Sequence, residues 1–311
     1  MTITAPGQAA AGAAAAPTVA IQGRGPWRLA WDRLRRDPAA IASAAVIVLI
    51  VAAAVAAPAV AHAVGHGPND QYPDVGLTTA GLPVGPSRRF LLGTDNLGRD
   101  LLVRVLYGAR ISLLVGVAAT LLATVAGVVV GLAAGYFSGL VDLTLARFMD
   151  VVLSFPYLLF AIALVSVHGP SLAITILVIA FFSWAAIGRI VRGQTLSIRE
   201  QEYIEASWSV GSGAARVMFV EILPNLLAPV IVLATLLIPT AIVFEATLSF
   251  LGVGIIPPTP SWGQMINEGF PLFSANPWAV LLPAICISVV MLAFTFVGDG
   301  LRDALDPRMK T

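Results

Sequence analysis

The chain has 311 residues, 58 % hydrophobic and 11 % charged, with a mean hydropathy of +0.89 and a net charge of +1. A soluble domain carries roughly 25 % charged residues, so the composition excludes an ordinary water-soluble globule, and the near-zero net charge excludes global steering toward nucleic acid. A single cysteine, Cys286, excludes an internal disulfide and a cysteine-rich metal site, and Lys310 as the only lysine excludes a P-loop, which needs a lysine opening a helix.

Residues 1–23 are rich in Ala, Pro, Gly and Thr without period and read as disordered. Arg24, Arg28, Arg33, Arg35 and Arg36 follow, so residues 1–37 are expected to form a basic cytoplasmic N-terminal tail. Residues 38–64 read as the first membrane helix. Ala57 to Ala63 resembles a signal-peptide cleavage site, but the apolar run and the stretch before it are both too long for one, and the helix is taken as uncleaved.

Five further apolar runs lie at about 111–136, 148–167, 170–190, 224–250 and 277–298. The expected fold is therefore an all-α membrane protein with six transmembrane helices, five of them in a core over 111–299, and a cytoplasmic C-terminal tail over 300–311. With both termini inside, 13 of the 18 basic residues face the cytoplasm. Arg88, Arg89, Arg99, Arg104 and Arg110 fall outside, all in one loop.

That outer loop, 65–110, is long for a connector and is expected to fold over the outer mouth. Thr94 or Asp95 is a candidate N-cap for an amphipathic helix at the membrane surface. Leu97, Leu101, Leu102 and Val105 would line its apolar face, with Asp100 and Arg104 on the other. Gly127, Gly131, Gly135 and Gly139, spaced by four, predict a bare helix face for close packing in the second span and its exit.

The coupling segment is residues 199–223. Helix formers run to about Ser209, Gly211 and Gly213 break them, and a second short helix leads to Pro224, which is tolerated in a first helical turn. A short polar helix held between two membrane helices can be pushed as a lever. Asp150 and Glu245 are the ionisable residues expected at membrane depth, where a bare charge costs about 2.5–3.5 kcal/mol. Asp150 is expected to pair with Arg147 or another helix, with a place on the pathway as the alternative. Glu245, near the outer end of the fifth span, is a pathway candidate or a packing contact. His62, His66 and His168 read as isolated, solvated histidines with no metal-binding spacing, and Trp262 and Trp278 as an aromatic belt.

Glu205-Ala206-Ser207, three residues, Gly211, then Leu223-Pro224 resembles the signature loop of importer-type ABC permeases. That loop reads Glu-Ala-Ala, three residues, Gly, nine residues, Ile, one residue, Leu-Pro. Ser207 replaces the second alanine, and Glu221 holds the isoleucine position. Leu92 to Asp95, Gly98 to Asp100, Tyr107 to Arg110, Met149 to Val151, Leu248 to Gly252, Pro257 to Gly263 and Gly298 to Pro307 are similar to the dipeptide/oligopeptide/nickel permease family. The loop after the first span resembles that of the second (C-type) of its paired transmembrane subunits.

The resemblance implies a non-catalytic subunit in a bacterial or archaeal plasma membrane, carrying peptides, with nickel or another small solute as the alternative. It implies as partners a homologous permease, two ATPase subunits that bind ATP and magnesium, and an extracellular binding protein. The implied ATPase-docking residues are Glu205, Ala206, Ser207, Gly211, Leu223 and Pro224. An ion-coupled secondary transporter would need ionisable groups or broken helices near the midplane, and spans two, four and six are nearly free of charge inside. An intramembrane enzyme would need a catalytic constellation, and none can be named. A passive channel has no use for a docking helix.

Overall fold

The computed structural model describes residues 26–305, all helix, turn and loop, with two isolated β-bridges, Leu77 to Pro83 and Thr94 to Asp100. The expected disorder over 1–23 lies outside the described residues. Helix α1, Pro26–Leu34, falls within what reads as tail. After it, Asp37 caps α2, Pro38–Val64, by accepting from Ala39 N at 2.9 Å and Ala40 N at 3.2 Å. A loop with the single turn α3, Pro73–Gly76, leads to α4, Leu101–Phe137. Then come α5, Gly139–Ser154, α6, Tyr157–His168, and α7, Leu172–Arg199. Helix α8 is Glu202–Ser209, and α9, Ala214–Arg216, runs through a π-helical turn, Val217–Ile222, into α10, Leu223–Phe250. Helix α11, Trp262–Gly269, is followed by a 3-10 turn, Phe270–Leu272, and by α12, Trp278–Leu305, which extends into the stretch read as a C-terminal tail.

Among the described residues, five stretches are long and apolar enough to cross a membrane: α2, α4, α7, Ala214–Phe250 and α12. The run expected as the third span, about 148–167, falls across α5 and α6, which are bent by 83° at Phe155–Pro156 and make a sixth span only if the pair counts as one. The cause is local. Proline lacks the N–H that would continue the helix and pushes the preceding residue to extended backbone, and Phe155 sits at φ −75, ψ 135.

Helix α4 is the spine. Its 37 residues, about 55 Å at 1.5 Å per residue, outrun the ~30 Å hydrocarbon core. The expected surface helix is replaced by the first turns of α4. Asp95 caps a tight turn, accepting from Leu97 N and Arg99 N at 3.0 Å each, and Gly98 at φ +71 stops helix growth there. Asp100 takes the cap, accepting from Leu102 N at 2.9 Å and Val103 N at 3.3 Å.

Three of the four spaced glycines do face a partner. A Cβ on Gly127 would lie 2.7 Å from Ile187 Cβ, on Gly131 2.5 Å from Gly188 O, and on Gly135 2.5 Å from Thr195 Cβ. Helices α4 and α7 thus pack backbone to backbone. Gly139 belongs elsewhere, opening α5 at φ +60 with open space around it. The main core gathers on this seam, with Val115, Ala123, Ile187, Val191 and Leu226 buried together.

The two ends of the bundle differ. At one, the 65–100 loop and α11 cover the helix ends, with Gly263 against the Ala246 backbone and Gly269 against Ala279. At the other, the α1–α2 junction meets α12 where Gly300 lies against Ala40, and Arg302 borders a groove with Gln194 of α7 and Pro229 of α10. Helix α8 joins α7 to α10 at this second end.

Candidate coupling segment and the covered end

Helix α8 is fastened from beneath. Ile204 is buried completely, in one apolar cluster with Val217, Ile222 and Leu226, so the short helix and the base of α10 share a core. Asn225 Nδ2 donates to Tyr203 Oη at 3.3 Å and to Glu221 O at 2.7 Å, and the Arg199 guanidinium lies 5.6 Å from the Trp208 ring centroid. Burial, and then the Glu221 carboxylate, push the Tyr203 hydroxyl above the usual phenol range.

The helix ends in a Schellman arrangement: Gly211 N donates to Trp208 O at 2.9 Å and Ser212 N to Ser207 O at 3.1 Å, with Gly211 at φ +83. The spacing Ser207, three residues, Gly211 is thus the spacing of a helix stop that needs the left-handed region. Glu205, Ala206 and Gly211 are exposed, Ser207 is half-buried, and Val210 at the tip is 83 % exposed. Leu223 and Pro224 open α10, half-buried and exposed respectively. The six sequence-predicted residues therefore lie on one connected helix-turn-helix at the second end.

Near this end, α5 and α7 enclose a polar cleft of about 590 Å³. Asp150 accepts from Arg189 at 2.6 Å and from Arg147 at 3.5 Å, while Asp142 is clasped by Nε and Nη2 of Arg192. The expected Arg147 partner is present, and Arg189 is the closer one.

Glu245 is enclosed by this chain alone, at 0 % exposure, among serines rather than cations. It accepts from Ser112 Oγ at 2.8 Å and Ser249 Oγ at 2.7 Å. Those hydroxyls in turn accept from Trp262 N at 3.2 Å and Ile255 N at 2.9 Å. The carboxyl therefore fastens the loop before α11 onto α4 and α10. Glu245→Ala would leave both hydroxyls without their acceptor, at about 1–3 kcal/mol for each group left unpaired. Glu245→Gln keeps one acceptor oxygen, enough for one of the two hydroxyls, and is expected to melt between the parent and the Ala variant. Thermal melts of the two purified variants provide the check, and equal melting of Ala and Gln variants would remove the clamp.

Sequence reasoning missed a buried ion cluster at the covered end. Arg104, fully buried, donates from Nη2 to Glu268 at 2.8 Å and to Gln264 at 3.2 Å, and its Nε lies 3.2 Å from Asp95. Arg99 donates to Asp95 at 2.6 Å and to Glu268 at 2.5 Å. Asp100 and Arg104 are thus buried, not the polar face of a surface helix. His66 is not solvated either: it is 7 % exposed, bonds Asp100 at 2.7 Å and stacks on Phe90. Trp262 leaves the expected belt for the interior, its indole N–H donating to Val105 O at 3.1 Å, while Trp278 is 49 % exposed. The available signal was Glu268 as the single acid between α10 and α12, facing the arginine-rich loop between α2 and α4.

Comparison with known proteins agrees with this architecture. Residues 127–311 match the family model "Binding-protein-dependent transport system inner membrane component", and residues 25–78 match "N-terminal TM domain of oligopeptide transport permease C". The chain is 40 % identical to the dipeptide transport system permease protein DppC of Alkalihalophilus pseudofirmus, over 92 % of this chain and 91 % of that one. It is 41 % identical to the oligopeptide transport system permease protein OppC of Escherichia coli K12, over 93 % of both, and 41 % identical to the glutathione transport system permease protein GsiD of Salmonella typhimurium, over 92 % of both. A chain of the MetNI methionine ABC transporter in an inward-facing conformation superposes with a TM-score of 0.53 at 20 % identity, covering 66 % of this chain and 96 % of that one, a likeness of fold. With the long apolar helices, the fastened α8 segment and these matches together, the chain belongs to the binding-protein-dependent transport system inner membrane components, a multi-pass permease subunit of an ABC importer.

Proposed function

We propose that this chain forms half of the translocation pathway of an ATP-driven peptide importer in the cytoplasmic membrane of a bacterium or archaeon. In this reading it has six spans, with α5 and α6 together as the third, and both termini and α8 in the cytoplasm. A homologous permease completes the pathway, two ATPase subunits bind ATP and magnesium, and an extracellular binding protein delivers solute to the covered end. Support for peptides comes from relatives named for dipeptides, oligopeptides and glutathione. Support for the orientation comes from the 13 basic residues that it places inside.

The observation that carries the coupling role is the two-sided build of α8. Buried Ile204 ties it to the base of α10, while Glu205, Ala206 and the Val210–Gly211 tip face outward. A load applied to the exposed side is passed to α7 and α10 instead of being absorbed by a loop. Glu205 supplies an acceptor for a basic ATPase residue, and Ala206 and Ser207 keep the approach close. Ser207 and Glu221 leave the lever intact, because the helix stop uses the Ser207 carbonyl, the serine side chain stays small, and Asn225 bonds the Glu221 carbonyl.

Glu205→Arg is expected to cut reconstituted uptake of a labelled di- or tripeptide by about tenfold or more, as loss of a charge-assisted contact of about 1.5–3 kcal/mol would. The variant should still reach the membrane and assemble with its permease partner. The paired readout is ATPase stimulation by the binding protein, expected to fall in parallel. Unchanged uptake would sink the docking role, and parental assembly that carries no peptide at all would sink the substrate class.

A further inference from the structure

The α1–α2 elbow is a built surface, and the transport reading gives it no task. Ala30 is buried, and a Cβ on Gly300 of α12 would meet Ala40 Cβ at 2.6 Å, Asp37 Oδ2 at 3.2 Å and Leu34 Cδ1 at 3.4 Å, so the elbow is seated directly on the end of α12. Asp37 is occupied in capping α2. The seating fixes what faces away. Arg28, Trp31 and Arg35, related by steps of three and four, share one exposed helical face, and exposed Arg36 follows. Trp31 is 52 % exposed, with the Arg35 guanidinium 4.7 Å from its ring centroid.

The level of this face is set by its neighbour. Two residues after Arg36 the chain enters α2, whose most apolar stretch is only 17 % buried within the chain. Lipid therefore reaches the foot of the elbow. An indole beside arginines is the combination that is stable at headgroup depth, with the ring in the interface and the guanidinium groups toward phosphates. Three arginines stand here against one acid within helical reach, half-buried Asp32, so the face is net positive.

We propose that this face binds anionic phospholipid headgroups, clamping the first span and the end of α12 to the leaflet surface. The occupant is a lipid phosphate because three arginines and an indole lie where a bilayer-spanning helix begins, which is where such phosphates are concentrated. The proposal goes beyond peptide transport and stands whichever solute is carried. Attraction of roughly 1 kcal/mol per arginine near such a surface converts to about fivefold in lipid retention for each one.

The test uses the complete detergent-solubilised importer, equilibrated with phosphatidylglycerol and phosphatidylcholine at equal concentration, with retained lipids counted by native mass spectrometry. The parent is expected to retain phosphatidylglycerol preferentially. The R28Q/R35Q/R36Q variant should lose that preference by about tenfold or more, and R35Q alone by about fivefold. The R28K/R35K/R36K variant should keep it, salt at about 0.5 M should weaken it, and inorganic phosphate should not compete at equal concentration. R35Q decides the matter should the triple variant fail to assemble. Equal phosphatidylglycerol retention by parent and glutamine variants overturns the proposal, as does competition by free phosphate. Loss of an ATPase subunit with unchanged lipid counts also overturns it and assigns the face to a protein contact.

Discussion

Arg104→Met is expected to destabilise the covered end by about 3–5 kcal/mol, the cost of breaking a buried ion pair from one side. The guanidinium is fully buried and is shared between Glu268, Gln264, Asp95 and the Pro68 carbonyl. Without it, Asp95 and Glu268 face Arg99 alone, and two carboxylates in a closed site have one cation between them. The lost packing is small, since methionine fills much of the same length. An SDS titration of the purified subunit assembly gives the unfolding midpoint, which should fall. The double variant R104M/E268Q should recover part of the loss, because removing the stranded carboxylate removes the larger share of the penalty. No shift in R104M, or no recovery in the double variant, would show that the cluster is solvated and unimportant.

Gly131→Leu should prevent α4 and α7 from seating. A methyl alone would stand 2.5 Å from the Gly188 carbonyl oxygen and 2.8 Å from Val191 Cβ, so even Gly131→Ala is expected to cost about 1–3 kcal/mol. The obstacle is backbone, which cannot rotate aside as a side chain does. Gly193 of α7 supplies the control, because a Cβ added there would meet nothing within 4 Å. Gly193→Ala should be neutral or stabilising by up to ~1 kcal/mol, since alanine favours helix over glycine. Membrane-fraction yield and a fluorescence-detected size-exclusion melt would measure all three. Wild-type melting for Gly131→Leu would contradict the close seam.

Local signals were legible where one residue type has one physical use. The helix-turn-helix over 199–223 could be read because a polar helix stop with glycine at the left-handed position has a fixed spacing, and Gly211 takes that position. The glycine seam could be read for Gly127, Gly131 and Gly135 because a bare face has value only against another backbone. Gly139 kept the spacing without the role, since the helix had already ended at Phe137. The break between α5 and α6 was present as Pro156, but hydropathy averaged across it hides a corner within an apolar run.

By itself, the sequence determined that the chain lives in a bilayer, that it lacks a P-loop, and that the polar segment over 199–223 is a helix-turn-helix. Those properties follow from composition and from spacings within about a dozen residues. Tertiary structure alone decided the fate of the charges. Arg104 meets Glu268 across 164 positions, and Glu245 meets Ser112 across 133. A charge read within its own helix looks solvated, because local periodicity carries no record of what a distant loop brings to it. Burial then reverses its meaning, from a group that water would satisfy to a fastening that holds only while every partner is present.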